Sequence, residues 1–67
     1  MEVTVNQQSH TISETCSVEE LVLNVLNRQS KGLAVAVNQM IVPKSNWENQ
    51  RLNSGDQIVV ITATQGG

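Results

Sequence analysis

Sixty-seven residues leave room for one small domain, near the lower size at which a hydrophobic core alone sustains folding, and none for a second domain or a linker. A net charge of −2, with the basic residues scattered as Arg28, Lys31, Lys44 and Arg51, provides no stripe for phosphates and speaks against nucleic acid as a partner. Met1 to Asn6 lacks the basic and apolar regions of a leader, no stretch approaches a membrane span, and a single cysteine cannot close an internal disulfide, so a reducing, cytoplasmic setting is expected.

Glu2 to Asn6 alternates polar and apolar, with Val3 and Val5 on one face, and reads as a strand. Asn6-Gln7-Gln8-Ser9 is a polar break, after which His10-Thr11-Ile12-Ser13 returns as the second arm of a hairpin with Ile12 as its large apolar residue. Ser17 followed by Glu20 forms a capping box, in which the hydroxyl accepts from an early helical N–H and the carboxylate reaches back to the cap. Val18, Leu21, Val22, Val25 and Leu26 then fall at helical spacing as one apolar stripe, giving a helix of about three turns. Cys16 and Leu21 occupy the positions of a hydrophobic staple across the cap. Arg28 and Lys31 suit the negative helix end, and Gly32 supplies a left-handed stop.

Leu33-Ala34-Val35-Ala36-Val37 is a second strong strand, bulky on one parity and small on the other, and the bulky set is expected to face the helix. Asn38-Gln39 turns the chain into a short antiparallel return, Met40-Ile41-Val42, stopped by Pro43. From Lys44 to Gln50 the chain is polar around Trp47, a loop anchor, and Leu52 holds the loop before the turn Asn53-Ser54-Gly55-Asp56. Gln57 to Thr64 is rich in Ile, Val and Thr, with Ile58 and Val60 on one side and Val59, Ile61 and Ala63 on the other. Such a strand belongs in the middle of a sheet. Two strands, a helix, a strand, a short strand and a long final strand make an α+β fold. If the last strand lies parallel to the first, the result is a β-grasp, or ubiquitin-like, arrangement: a mixed sheet of four to five strands with one main helix across one face.

The central strand then delivers Gln65-Gly66-Gly67 outward as a flexible tail, residues 65–67, on a single domain of residues 1–67. Glycine has no Cβ, so Gly66 and Gly67 can thread a narrow channel and place the α-carboxylate inside a partner's active site. The plain alternative is a frayed terminus.

The ordered set of Asn6, the helix with Leu21, Ala34-Val35-Ala36-Val37-Asn38, Ile41-Val42-Pro43-Lys44 with Trp47 following, Leu52, Gly55-Asp56-Gln57-Ile58 and the terminal Gly66-Gly67 resembles the ThiS-type sulfur-carrier proteins of thiamine biosynthesis across essentially the whole chain. The family commonly places Gly after Asn in both hairpin turns. Here Gln7 and Gln39 stand instead, which points to longer turns or turns of another type. Lys44 stands where Arg is frequent, and Gln65 where a small apolar residue is usual.

The resemblance implies that an E1-like adenylating enzyme converts the Gly67 carboxylate to an acyl-adenylate, with ATP and magnesium held by that enzyme and no cofactor bound by this chain. A relay from a cysteine desulfurase or sulfurtransferase then makes a thiocarboxylate, which donates sulfur to thiazole synthase. The protein is on this reading a cosubstrate with no catalytic residue. Ala34, Ala36, Val59, Ile61 and Ala63 are expected to form an apolar area on the sheet face away from the helix, where both enzymes dock. The alternatives are the small subunit of molybdopterin synthase or another ubiquitin-like sulfur carrier and, from a different class, a β-grasp interaction module whose tail does nothing. Cys16 fits a small buried hydrophobe better than a sulfur acceptor. His10 has no second ligand at metal spacing, and Glu19 and Glu20 belong to the helix start, so neither metal binding nor paired-acid chemistry is expected.

Overall fold

The computed structural model describes residues 1–27 and 32–62. The first strand, β1 (Glu2–Val5), pairs antiparallel with β2 (Gln8–Thr11), and β3 (Leu33–Val37) pairs antiparallel with β4 (Met40–Val42). The last strand, β5 (Gln57–Thr62), is inserted between the two hairpins, parallel to β1 and antiparallel to β3, in the order β2-β1-β5-β3-β4. The Ile/Val-rich run therefore sits at the sheet centre, as its sequence requires.

Period-two alternation sorts the side chains. Val3, Val5, Val35, Val37, Ile58 and Val60 are buried on one face, in one hydrophobic cluster with Val18, Leu21 and Val22. Ile12, Cys16, Val42, Trp47 and Leu52 complete that cluster. The indole N–H of Trp47 donates to the carbonyl of Val42 at 2.9 Å, so the large ring is buried without leaving a polar atom unpaired. The loop it anchors is tied to the helix entrance, where Val18 N–H donates to the Gln50 carbonyl (2.9 Å) and Leu52 N–H to that of Cys16 (3.0 Å).

The capping box forms in both directions. Ser17 Oγ accepts from Glu20 N–H at 3.2 Å, and Glu20 Oε1 accepts from Ser17 N–H at 3.4 Å. The helix is shorter than the apolar stripe suggests. After α1 (Val18–Glu20) the chain continues as a π-helical stretch (Leu21–Val25), closed by the Leu26 N–H on the Leu21 carbonyl at 2.8 Å. The wider turn rotates later positions away from a 3.6-residue period, which leaves Val25 39% exposed and Leu26 partly buried. Val25 is thus not a stripe residue. Asn27, at φ 54°, takes the left-handed conformation just beyond the helix, ahead of the expected stop at Gly32, which itself lies at φ 75°. Arg28 and Lys31 lie outside the described residues.

Both hairpin turns differ from the sequence expectation. Val5 pairs with Gln8 and Val37 with Met40, so each loop has two residues, and both have φ > 0: Asn6 50°, Gln7 70°, Asn38 50°, Gln39 73°. That is the signature of the type I′ turn, whose twist matches paired strands. The glutamines therefore take the conformation that glycine favours, and the first return arm starts at Gln8 rather than His10. Because Gln7 and Gln39 are exposed, glycine there would relieve the left-handed penalty of about 1–2 kcal/mol per residue, less about 0.5–1 kcal/mol of added unfolded-chain freedom. Gln7→Gly and Gln39→Gly are each expected to add up to about 1.5 kcal/mol of stability, read as a higher urea midpoint; a lowered midpoint would contradict this account of the turns.

Candidate functional site: the open sheet face and the end of β5

The helix covers one face of the sheet, and the other divides in two. On the β1–β2 side the outward positions are Glu2, Thr4, Ser9 and Thr11, all polar. On the β5–β3–β4 side they are apolar. Register brings Ala34 opposite Ile61, Ala36 opposite Val59, and Ile41 opposite Ala36 on its other side. Val59 is 44% exposed, Ile61 54% and Ile41 68%, while Ala34 and Ala36 are half-buried between them. The small side chains of β3 thus run as a low strip between the bulkier residues of β4 and β5. An apolar surface of this kind, contiguous and bounded by polar positions, is suited to a protein partner.

The expected surface residues Ala34, Ala36, Val59 and Ile61 therefore do share one exposed face. Ala63, Gln65, Gly66 and Gly67 lie outside the described residues. Ile41 was missed, although the same logic finds it: a two-residue turn at Asn38-Gln39 fixes its pairing with Ala36. The two-sided apolar character of β5 places it centrally, but only its Ile58 and Val60 side is buried. Val59 and Ile61 remain open because the helix covers the opposite face.

Two turn asparagines hold β5 in place, and sequence reading gave them a turn role alone. Asn6 Oδ1 accepts from the Val60 N–H at 2.9 Å and Asn6 Nδ2 donates to the Val60 carbonyl at 3.2 Å. At the other end, Asn38 Oδ1 accepts from the Gln57 N–H at 3.0 Å, and Asn38 Nδ2 donates to Asp56 Oδ1 at 3.0 Å. Asp56 also accepts from the Asn53 N–H at 2.8 Å, closing the turn that opens β5. Its carboxylate is a structural acceptor.

Cys16, Ser17 and Glu20 lie together at the helix entrance. Burial, with the Glu20 carboxylate second, pushes the Cys16 thiol up, which keeps it protonated and a poor nucleophile. Ser17 and Glu20 are engaged with each other at the helix start. Among the described residues no group of His, Cys, Asp and Glu stands together as a metal site, and no helix is long and apolar enough to cross a membrane.

Comparison with known proteins fits this geometry. The model of the ThiS family matches residues 1–67. The Escherichia coli sulfur carrier protein ThiS is 34% identical over 67 residues, covering all of both chains. A thiazole synthase from Paramagnetospirillum magneticum is 33% identical over 67 residues, which is all of this chain and 20% of that protein. The crystal structure of a thiamine biosynthesis protein (ThiS) from Geobacter metallireducens superposes with a TM-score of 0.86 over the full length of both chains at 23% identity, and so shares the fold. The chain belongs to the ThiS family, the sulfur carriers of thiamine biosynthesis.

Proposed function

We propose that the sulfur is carried on the α-carboxyl group of Gly67 as a thiocarboxylate. A carboxylate resists nucleophiles because its charge is delocalised and oxide is a poor leaving group, so activation has to come from a partner. A carboxylate oxygen attacks the α-phosphorus of ATP on an E1-like enzyme, pyrophosphate leaves, and an acyl-adenylate forms. The terminal sulfur of a persulfide on the cysteine desulfurase relay then attacks the acyl carbon and expels AMP, and a thiol cleaves the S–S bond of the resulting acyl disulfide, supplying the two electrons that leave the thiocarboxylate. Thiazole synthase takes the sulfur, and hydrolytic return of the carboxylate makes the carrier reusable. ATP and magnesium belong to the adenylating enzyme, and this chain is a cosubstrate rather than a catalyst.

The observation that carries this reading is the central position of β5 beside an exposed apolar face. β5 is held between β1 and β3 at its start and by β3 as far as Thr62, and the exposed apolar face lies beside it, an arrangement suited to presenting residues 63–67 to a partner. The match of the whole chain to one fifth of a thiazole synthase supports that enzyme as a partner, since a carrier-like segment inside the synthase chain places donor and acceptor together.

Ile61 tests the face. It is exposed and outside the core, so Ile61→Glu should fold normally. Burying its carboxylate unpaired in an interface costs enough to slow adenylation by about ten-fold or more, measured as ATP–pyrophosphate exchange with the adenylating enzyme. Exchange at the wild-type rate would remove the face from the docking site.

A further inference from the structure

We propose that Asn6 is a positioning residue for the carrier terminus, acting through its side-chain grip on Val60. β1 ends at Val5, opposite Ile58, and the chain turns back at Asn6-Gln7. The Asn6 N–H still reaches the Ile58 carbonyl at 2.9 Å, but no β1 backbone lies beyond it to pair with Val60. The carboxamide takes that place. One donor and one acceptor meet the N–H and C=O of Val60, as an additional residue of β1 would, close to the end of β5 at Thr62. This bond pair spans a separation of 54 residues, so it is tertiary and not part of the turn's own chemistry. It fixes the stretch of β5 from which residues 63–67 depart.

The consequence rests on the reading of Gly67 as the group that is charged with sulfur. A terminus leaving a fixed strand has less freedom to lose when it enters a partner's channel, and freedom lost on docking appears in the binding step. Asn38 provides the internal comparison. Its carboxamide also makes two bonds, to the Gln57 N–H and to the Asp56 carboxylate, at the opposite end of β5, far from the departure point.

Glycine accepts φ near 50° more readily than asparagine, so Asn6→Gly and Asn38→Gly preserve both turns while removing each grip. Amide exchange followed by NMR should quicken at Val60 in Asn6→Gly and remain slow there in Asn38→Gly. In ATP–pyrophosphate exchange with the adenylating enzyme, Asn6→Gly should raise the KM for the carrier about ten-fold with kcat within about two-fold, while Asn38→Gly keeps the wild-type KM. A general loss of stability would not separate the variants in this way, since each loses two bonds. Equal KM values for wild type and Asn6→Gly, or unchanged exchange at Val60, would overturn this inference alone. Failure of the wild-type chain to support exchange would overturn the reading of Gly67 and this inference with it.

Discussion

Deleting Gly66 and Gly67 is expected to abolish rescue of a thiamine-requiring host while leaving the domain folded. The core, among the described residues, is closed by Val60, and the β3–β5 register by Leu33 opposite Thr62. Glycine has no side chain to bury, so the melting temperature should barely move. Chemistry responds differently. Two extended residues span about 7 Å, so a chain ending at Gln65 would hold its carboxylate that far short of the position Gly67 reaches. A misplacement of about 1 Å can cost about 100-fold, and a side-chain-bearing residue would also have to enter a channel suited to glycine. Restored growth with the truncated chain would reassign the protein to the class of β-grasp modules that act through their surface.

The largest effect on stability is expected at Trp47. The ring is 1% exposed, it is the only aromatic in the chain, and its N–H is paired with the Val42 carbonyl. Truncating a buried aromatic to alanine costs about 3–5 kcal/mol. At about 0.05–0.15 kcal/mol per residue a domain of 67 residues has about 3–10 kcal/mol in all, so Trp47→Ala removes much or all of its stability. Trp47→Phe refills part of the space but leaves the Val42 carbonyl without its donor, and should lie between the two, the lost partner costing about 1–3 kcal/mol. Far-UV circular dichroism in urea is the suitable measurement, because removing Trp47 also removes the fluorophore. A Trp47→Ala midpoint within error of wild type would show that the loop from Lys44 to Asn53 is not anchored through this ring.

Much of the fold can be read in the chain because its strongest signals are local. The Ser17 and Glu20 capping box, the alternation of Val3 and Val5, and the large-and-small parity of Leu33 to Val37 each depend on near neighbours, and each appears as expected. The central place of β5 follows from apolar residues on both of its sides. What escapes is set by geometry that no short window contains. Gln7 and Gln39 adopt φ > 0 because the twist of paired strands selects the turn, overriding the preference of glutamine. Val25 leaves the helical stripe because one wider turn begins at Leu21, and nothing in the spacing marks it. The grip of Asn6 on Val60 joins residues from the two ends of the chain. Turn asparagines are common for reasons of φ alone, so this second use is visible only once the topology places β1 beside β5.

The site was legible to the same degree. Val59 and Ile61 were found from parity, with Ala34 and Ala36 opposite them, whereas Ile41 required the β3–β4 register. Both ends of β5 are fixed by carboxamides, and its apolar outward side remains open. The domain thus combines a final strand tied at Gln57 and Val60 with an open apolar face beside it.

The most direct measurement of the central claim is the intact mass of this protein isolated from cells that lack thiazole synthase, where a charged carrier has no acceptor and accumulates. A population whose mass gain matches replacement of one oxygen by sulfur, traced by fragmentation to Gly67, is the result this account predicts. Only unmodified chain under those conditions, or sulfur located at Cys16 with Gly67 unchanged, would contradict it.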